Sequence, residues 1–302
     1  MPTIETQAQA IFDAHRATFL PTAEALDSAP EFSRADVNYQ AAKLGCLRLG
    51  FIPIDAECLA LAWQAQSVRT GQFDATAWPD TRADFGLAPR PRANTFAPCP
   101  DRLGLYAVLP DAAWVGRMAR AGVPTVQLRF KSDDQAAIVR EVHAAVAAVQ
   151  DTGSLLFIND HWRAAINAGA YGVHLGQEDL DALQPAELET IRASGIRLGV
   201  STHGYAEMLR ADAVSPSYIA MGAVFPTTLK KMATAPQGLG RLYAYARLLR
   251  GMPLVAIGGI DAAQMPAVAA SGVGSVAVVR ALVQAPNPEL AVAELKQILA
   301  GG

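Results

Sequence analysis

Cysteine is scarce in this chain: Cys46, Cys58 and Cys99 are the only three among 302 residues. An odd number at irregular spacing is no disulfide framework, and no C-x-x-C pair is present. The three thiols read as reduced and structural, since free cysteine commonly behaves as a small hydrophobe. An excess of one charge sign is missing too. The formal net charge is −3, without the concentrated basic stripe that nucleic-acid binding needs. No apolar run reaches the ~20 residues of a bilayer span. The start, "MPTIETQAQAIFDAHR", has no basic head followed by an apolar stretch, so it does not read as a secretory signal. These absences predict a cytoplasmic protein with no nucleic-acid or membrane partner; a homo-oligomer is compatible with them.

What is present points to a packed core. Hydrophobic residues make up 51% and charged ones 18%, a balance that argues against disorder. The texture changes near residue 74. The stretch "FDATAWPDTRADFGLAPRPRANTFAPCPDR" carries Pro79, Pro89, Pro91, Pro98 and Pro100. Proline fixes φ and removes a donor, so residues 75–102 read as an extended or turning linker. Before it, residues 1–74 read as mostly helical. "IETQAQAIFDAHRATFL" and "DAECLALAWQAQSVRT" both have helical apolar spacing, and Asp55 is the expected N-cap of the second. At roughly 75 residues the segment is near the low end for independent folding, so it reads as an appendage.

From residue 103 to 302 short apolar, β-branched runs alternate with Ala-rich helical stretches. The runs are "LYAVL" (105–109), "TVQLRF" (125–130), "LLFIND" (155–160), "GVHLG" (172–176), "RLGVST" (197–202), "YIAMGAV" (218–224), "PLVAIGG" (253–259) and "SVAVV" (275–279). They are continuous rather than alternating, as in parallel strands buried on both faces. Eight strands, each followed by a helix, in about 200 residues predict a (β/α)8 TIM barrel, the whole being α/β with a mostly helical N-terminal extension. The competing doubly wound sheet usually has fewer strands and a glycine-rich first turn, which "LYAVLPDAAW" lacks.

In such a barrel the active site lies at the C-terminal ends of the strands. Polar residues gather there: Gln127, Arg129 and Lys131; Asn159 and Asp160; Asp179; Ser201, Thr202 and His203; then "FPTTLKK", Gly258-Gly259 and Val279-Arg280. Only residues 161–171 separate the third and fourth runs, so those strands are neighbours, about 5 Å apart. Asp160 and Asp179 then rise from the same rim. A divalent cation relieves the repulsion of two such carboxylates, and oxygen donors without a His or Cys cluster suit Mg2+ rather than Zn2+. Arg129, Lys131 and Lys230 supply cations for a pyrophosphate. "IGGI" after the seventh run and the start of the helix after the eighth form a second anion corner, without a metal. Taken singly each feature has a plainer reading: an Asp after a strand commonly caps a helix, and His203 and His174 commonly serve structure.

The motifs "VQLRFK" (126–131), "FIND" (157–160), "GVHLGQED" (172–179), "GVSTH" (199–203), "GAVFPTTLKKMATAPQG" (222–238), "AIGGI" (256–260) and "VAVVRAL" (276–282) occur in this order. From about Leu105 to the C-terminus the chain thereby resembles the thiamine phosphate synthases. The resemblance implies a transferase that joins 4-amino-2-methyl-5-(diphosphooxymethyl)pyrimidine to 4-methyl-5-(2-phosphoethyl)thiazole, giving thiamine phosphate and pyrophosphate. It implies Asp160 and Asp179 as Mg2+ ligands. Gln127, Arg129, Lys131, Asn159, Ser201 and Lys230 would bind the pyrimidine diphosphate, with Lys131, Ser201 and Lys230 as the catalytic set. Thr227, Leu229, Gly259, Val279 and Arg280 would line the thiazole phosphate site. Three positions depart from the family pattern. Leu229 stands where a hydroxyl is usual, Arg280 where serine is usual, and Phe130 where an acidic residue is frequent. Two rival readings share the barrel: a thiazole tautomerase using His203 as acid or base, and a non-catalytic binder of thiamine precursors.

Overall fold

The computed structural model describes residues 3–19, 30–227 and 235–301. Eight parallel strands close into a barrel in sequence order: β1 (Gly104–Leu109), β2 (Thr125–Leu128), β3 (Leu155–Asn159), β4 (Gly172–Leu175), β5 (Arg197–Thr202), β6 (Tyr218–Met221), β7 (Leu254–Ile257) and β8 (Gly274–Val278). Three helices precede the barrel: α1 (Ile4–Phe19), α2 (Val37–Arg48) and α3 (Pro53–Thr70). Around it lie α4 (Ala112–Arg120), α5 (Gln135–Ala148), α6 (Trp162–Ala168), α7 (Gln177–Ala182), α8 (Pro185–Ala193) and α9 (Tyr205–Ala213). The ring continues through α10 (Gly238–Leu248), α11 (Met265–Ala269), α12 (Arg280–Val283) and α13 (Pro288–Ala300). No described helix is long and apolar enough to cross a membrane.

The apolar runs became strands because both of their faces are covered. Leu105, Ala107 and Leu109 pack outward against helices, while Tyr106 and Val108 join Phe157, Tyr218, Val255 and Ala277 inside the barrel. Two strand glycines make room for these interior rings. A Cβ at Gly199 would lie 2.1 Å from the Tyr218 ring, and one at Gly172 would lie 2.4 Å from Phe157. Several ladders stop earlier than the apolar runs do: β2 ends at Leu128, β4 at Leu175 and β6 at Met221. Arg129, Lys131, Gly176 and Ala223 therefore belong to rim loops.

The N-terminal helices pack on the α9–α10 side of the barrel. Arg241 of α10 donates to the Gly50 carbonyl between α2 and α3 at 2.7 Å, and just after α3, Trp78 donates its indole N–H to the Tyr205 hydroxyl at 3.0 Å and Phe85 stacks on Tyr205 at 5.4 Å. The proline-rich stretch is held as well. Phe96 N–H donates to Ser215 O at 3.1 Å, and the Ser217 hydroxyl donates to Ala97 O at 2.6 Å. Arg82, Arg90 and Arg92 converge on the buried Asp212 of α9.

Asp55 is not the N-cap of α3. That helix starts earlier, with Ile52 as cap residue and Pro53 in its first turn, a position where the missing N–H costs nothing. Asp55 is 3% exposed and instead accepts the Ala206 N–H at 2.9 Å, so it caps α9 across the tertiary fold. Gly204 leaves it the space, because a Cβ there would lie 2.1 Å from Asp55 Oδ2. Burial pushes the Asp55 carboxyl up to about 6, against the opposing pull of the Ala206 N–H and the Arg241 charge. A folded-state value above the unfolded one makes the charged form a cost that is absent below about pH 4 and complete above about pH 6. Asp55→Asn keeps an accepting oxygen for the cap. It is expected to be more stable than the wild type at pH 8 by up to about 2 kcal/mol, and so to unfold at higher temperature, with the gain vanishing near pH 4. Scanning calorimetry at the two pH values checks this.

Candidate active site

One cavity of about 690 Å³ opens at the C-terminal end of the barrel. Gln127, Arg129, Lys131, Asn159, Asp160, Asp179, Ser201, Thr227, Gly259, Val279 and Arg280 all line it. Every site residue expected from the sequence and described in the structure is therefore in one place. Leu229 and Lys230 lie outside the described residues.

The acidic pair is built by two loop geometries. Asp160 follows β3 with φ 63°, the left-handed region that Asp tolerates better than most side chains. Asp179 is the third residue of α7, and its Oδ2 accepts the Gly176 N–H at 3.1 Å. Burial, then the adjacent Asp160 charge, raises the Asp179 carboxyl above its usual range. Lys131 forms an ion pair with Asp160 from the β2 side. Gln177, which shares the acidic tip after β4, is buried and structural. Its amide donates to Ser201 O at 2.6 Å and its oxygen accepts from Arg210 at 2.6 Å. Glu178 is exposed on the cavity rim, and His161 turns its Nε2 toward Phe130 O at 3.3 Å instead of out to solvent.

The opposite wall is the glycine corner. Gly258 has φ 107° and Gly259 φ 67°, and added Cβ atoms would lie 2.6 Å from Ala223 and 2.6 Å from Pro226 O. Glycine is required at both positions for the loop after β7 to press against the loop that carries Thr227. Phe225 N–H donates to Gly258 O at 2.9 Å and ties the two loops together.

Below both walls lies a chain of polar groups, of which sequence reasoning placed Gln127, Asn159 and Ser201 in the site but not Tyr106, Tyr218 or His174. Gln127 donates to Asn159 Oδ1 at 2.8 Å and accepts from the Tyr106 hydroxyl at 3.0 Å. The Tyr106 and Tyr218 hydroxyls are 2.8 Å apart. Tyr218 meets His174 Nδ1 at 2.7 Å, and His174 Nε2 meets Ser201 Oγ at 2.7 Å. Burial holds the His174 imidazole down at about 4, so it is neutral at physiological pH. His174 thus faces the cavity rather than only filling the core. The sequence signal that could have found it was a polar residue beside glycines in adjacent apolar runs. His203 also lines the cavity and pairs with Glu207 at 2.8 Å. Burial pushes the Glu207 carboxyl up, but the His203 hydrogen bond and charge bring it below its usual range.

The family model described as thiamine monophosphate synthase matches residues 105–282. A thiamine-phosphate synthase of Neisseria meningitidis is 56% identical over 198 residues, 66% of this chain and 95% of that protein. One of Escherichia coli is 52% identical over 207 residues, 68% of this chain and 97% of that one. The structure of thiamine phosphate pyrophosphorylase from Pyrococcus furiosus superposes with a TM-score of 0.59 at 27% identity, covering 67% of this chain and 97% of its own. With its barrel, its rim residues and these relatives, the chain belongs to the thiamine monophosphate synthase family.

Proposed function

We propose that the protein condenses 4-amino-2-methyl-5-(diphosphooxymethyl)pyrimidine with 4-methyl-5-(2-phosphoethyl)thiazole, releasing thiamine phosphate and pyrophosphate. The observation that carries this reading is that one cavity is lined by both residue sets, which we read as two anion-binding walls. Asp160, Asp179, Arg129 and Lys131 form one, and Thr227, Gly259, Val279 and Arg280 form the other. Such a cavity can hold two phosphorylated partners facing each other.

The first wall fits a divalent metal. Two carboxylates abut, and the charge of one holds the other's proton affinity up, which a hard cation would reverse. Among the described residues no group of three or more His, Cys, Asp or Glu side chains gathers as a metal site, so substrate oxygens and water would complete the shell. Asp160 and Asp179 would hold Mg2+. Charge neutralisation of the departing pyrophosphate is the chemistry Mg2+ supplies when bound. Arg129 and Lys131 hold the same leaving group by charge-assisted hydrogen bonds. Gln127, Asn159 and Ser201 orient the pyrimidine ring below it. Thr227, Gly259, Val279 and Arg280 seat the thiazole phosphate, so that the thiazole nitrogen faces the methylene carbon and captures the cation left once the C–O bond to pyrophosphate has broken. The pyrimidine stabilises the resulting cation. The reaction therefore needs no protein nucleophile, in keeping with a His174 that stays neutral and hydrogen-bonded. Lys230 would bind the same diphosphate in this reading.

Incubation with both substrates and Mg2+ tests the proposal, with thiamine phosphate and pyrophosphate expected in equal amounts. Tight binding without product would favour the non-catalytic reading. His203→Ala is expected to lower kcat less than about tenfold, because the imidazole is spent on Glu207 and no proton transfer is asked of it. Steady-state assay of that variant checks the point, and complete loss of coupling would return His203 to a catalytic role.

A further inference from the structure

The buried polar chain has a direction, and the direction follows from counting protons. Gln127 gives an amide N–H to Asn159 Oδ1, so its own oxygen faces Tyr106 and can only accept. Tyr106 has one proton and spends it there. The contact between the two tyrosines then has Tyr218 as donor and Tyr106 as acceptor. With its single proton used, Tyr218 can only accept from His174, so Nδ1 carries the imidazole proton. The ring is buried, with a hydroxyl at each nitrogen and, among the described residues, no carboxylate bonded to it, so it stays neutral and has no second proton. Its Nε2 must accept, and Ser201 must donate. The Ser201 proton is thereby pulled away from the cavity, and its remaining lone pairs face it. At the other end Asn159 Oδ1 is engaged by Gln127, which leaves the Asn159 NH2 to donate.

We propose that this one-way chain makes Ser201 Oγ an acceptor and the Asn159 amide a donor toward the cavity, so that the pyrimidine subsite selects a 4-amino over a 4-oxo ring. Tyr106, Tyr218 and His174 act as positioning residues for that choice. The inference rests on the functional reading above and adds the basis of its substrate discrimination. An aminopyrimidine offers an N–H donor at the amino group and an acceptor at the adjacent ring nitrogen. The 4-oxo ring offers the reverse, an acceptor and then a donor. The backbone register sets Asn159 on β3 and Ser201 on β5 on either side of His174 of β4, which is opposite Asn159 and Gly199, and all three line the cavity. Tyr106, Gln127, Tyr218, Asn159 and His174 are each less than 9% exposed, so water cannot easily re-satisfy a mismatched group. A site committed in this way rejects the wrong hydrogen-bonding pattern by roughly 10³-fold or more.

Two measurements on the full-length protein test this. The first is 15N NMR of the imidazole, with the His174 signals assigned by their loss in His174→Gln. A neutral ring protonated at Nδ1 is expected. A proton on Nε2 would mean that the Gln127 amide is turned over and every donor runs the other way, with Ser201 donating to the ligand, and would overturn the inference. The second is the ratio of kcat/KM for the 4-amino pyrimidine diphosphate to that for its 4-oxo analogue. Tyr218→Phe frees the Nδ1 constraint, and Tyr106→Phe frees the Tyr218 proton to reverse the chain. Either is expected to shrink the ratio at least about tenfold. A merely structural role would lower both activities together and leave the ratio intact, and an intact ratio in both variants overturns the assignment. A wild type that couples neither substrate would instead defeat the functional reading, and the selectivity with it, while the imidazole tautomer still reports the direction of the chain.

Discussion

Asp160→Asn and Asp179→Asn are each expected to lower Mg2+-dependent formation of thiamine phosphate by at least about 10³-fold, with little loss of fold. The two carboxylates carry the anionic half of the first wall, and Lys131 already leans on one of them. In the proposed reading, removing either would leave one carboxylate for the metal and would upset the charge balance around the pyrophosphate. Asparagine is the informative replacement at position 160. The backbone there is left-handed, at φ 63°, and asparagine tolerates that region, whereas alanine would add roughly 1 kcal/mol of local strain unrelated to the metal. Steady-state assays across a Mg2+ titration check the prediction. Near-normal turnover in both variants would remove these residues as metal ligands.

Asp212→Ala is expected to have the largest effect on stability, about 3–5 kcal/mol, or a fall in Tm on the order of 10 °C. The carboxylate is 2% exposed and receives Arg90 at 3.0 Å and Arg92 still closer, with Arg82 at 3.5 Å. Removing it strands three guanidinium groups in a place where Arg82 Nη1, Arg90 Nε and Arg92 Nε already have no hydrogen-bond partner. Burial raises the Asp212 carboxyl, but hydrogen bonds from Arg92 and Arg90 outweigh it and hold the group below its usual range. A depressed folded-state value gives a contribution that is whole above about pH 4 and lost as the pH falls below it. Thermal unfolding of the variant at pH 7, and of the wild type toward pH 3, measures both parts. An unchanged Tm at pH 7 would mean that the arginine cluster does not hold the proline-rich stretch against α9.

The barrel was legible because parallel strands covered on both faces leave continuous apolar runs, and eight such runs were separated by helix-length gaps. Asp160 and Asp179 were legible for a related reason. Polar residues at the ends of such runs have few places to go other than the rim. Tyr106, His174 and Tyr218 were hidden by the same rule, since a buried polar residue within an apolar run looks like core until its partners are known. Those partners are distant in sequence; Tyr106 and Tyr218 are 112 residues apart. Asp55 shows the same blind spot. Its spacing suggested a local cap, but the helix end it satisfies lies 151 residues further on. The stop at Asp160 and the acidic tip after β4 thus share one cavity, although Gln177 turned out to be the tie between β4 and β5.

The most direct measurement is anomalous diffraction from crystals of the full-length protein grown with Mn2+, in place of Mg2+, and pyrophosphate. The expected result is a metal peak coordinated by oxygens of both Asp160 and Asp179, with pyrophosphate bridging from the metal to Arg129 and Lys131. A metal bound elsewhere, or pyrophosphate seated on the Gly259–Arg280 wall with no metal between the two aspartates, would contradict the account.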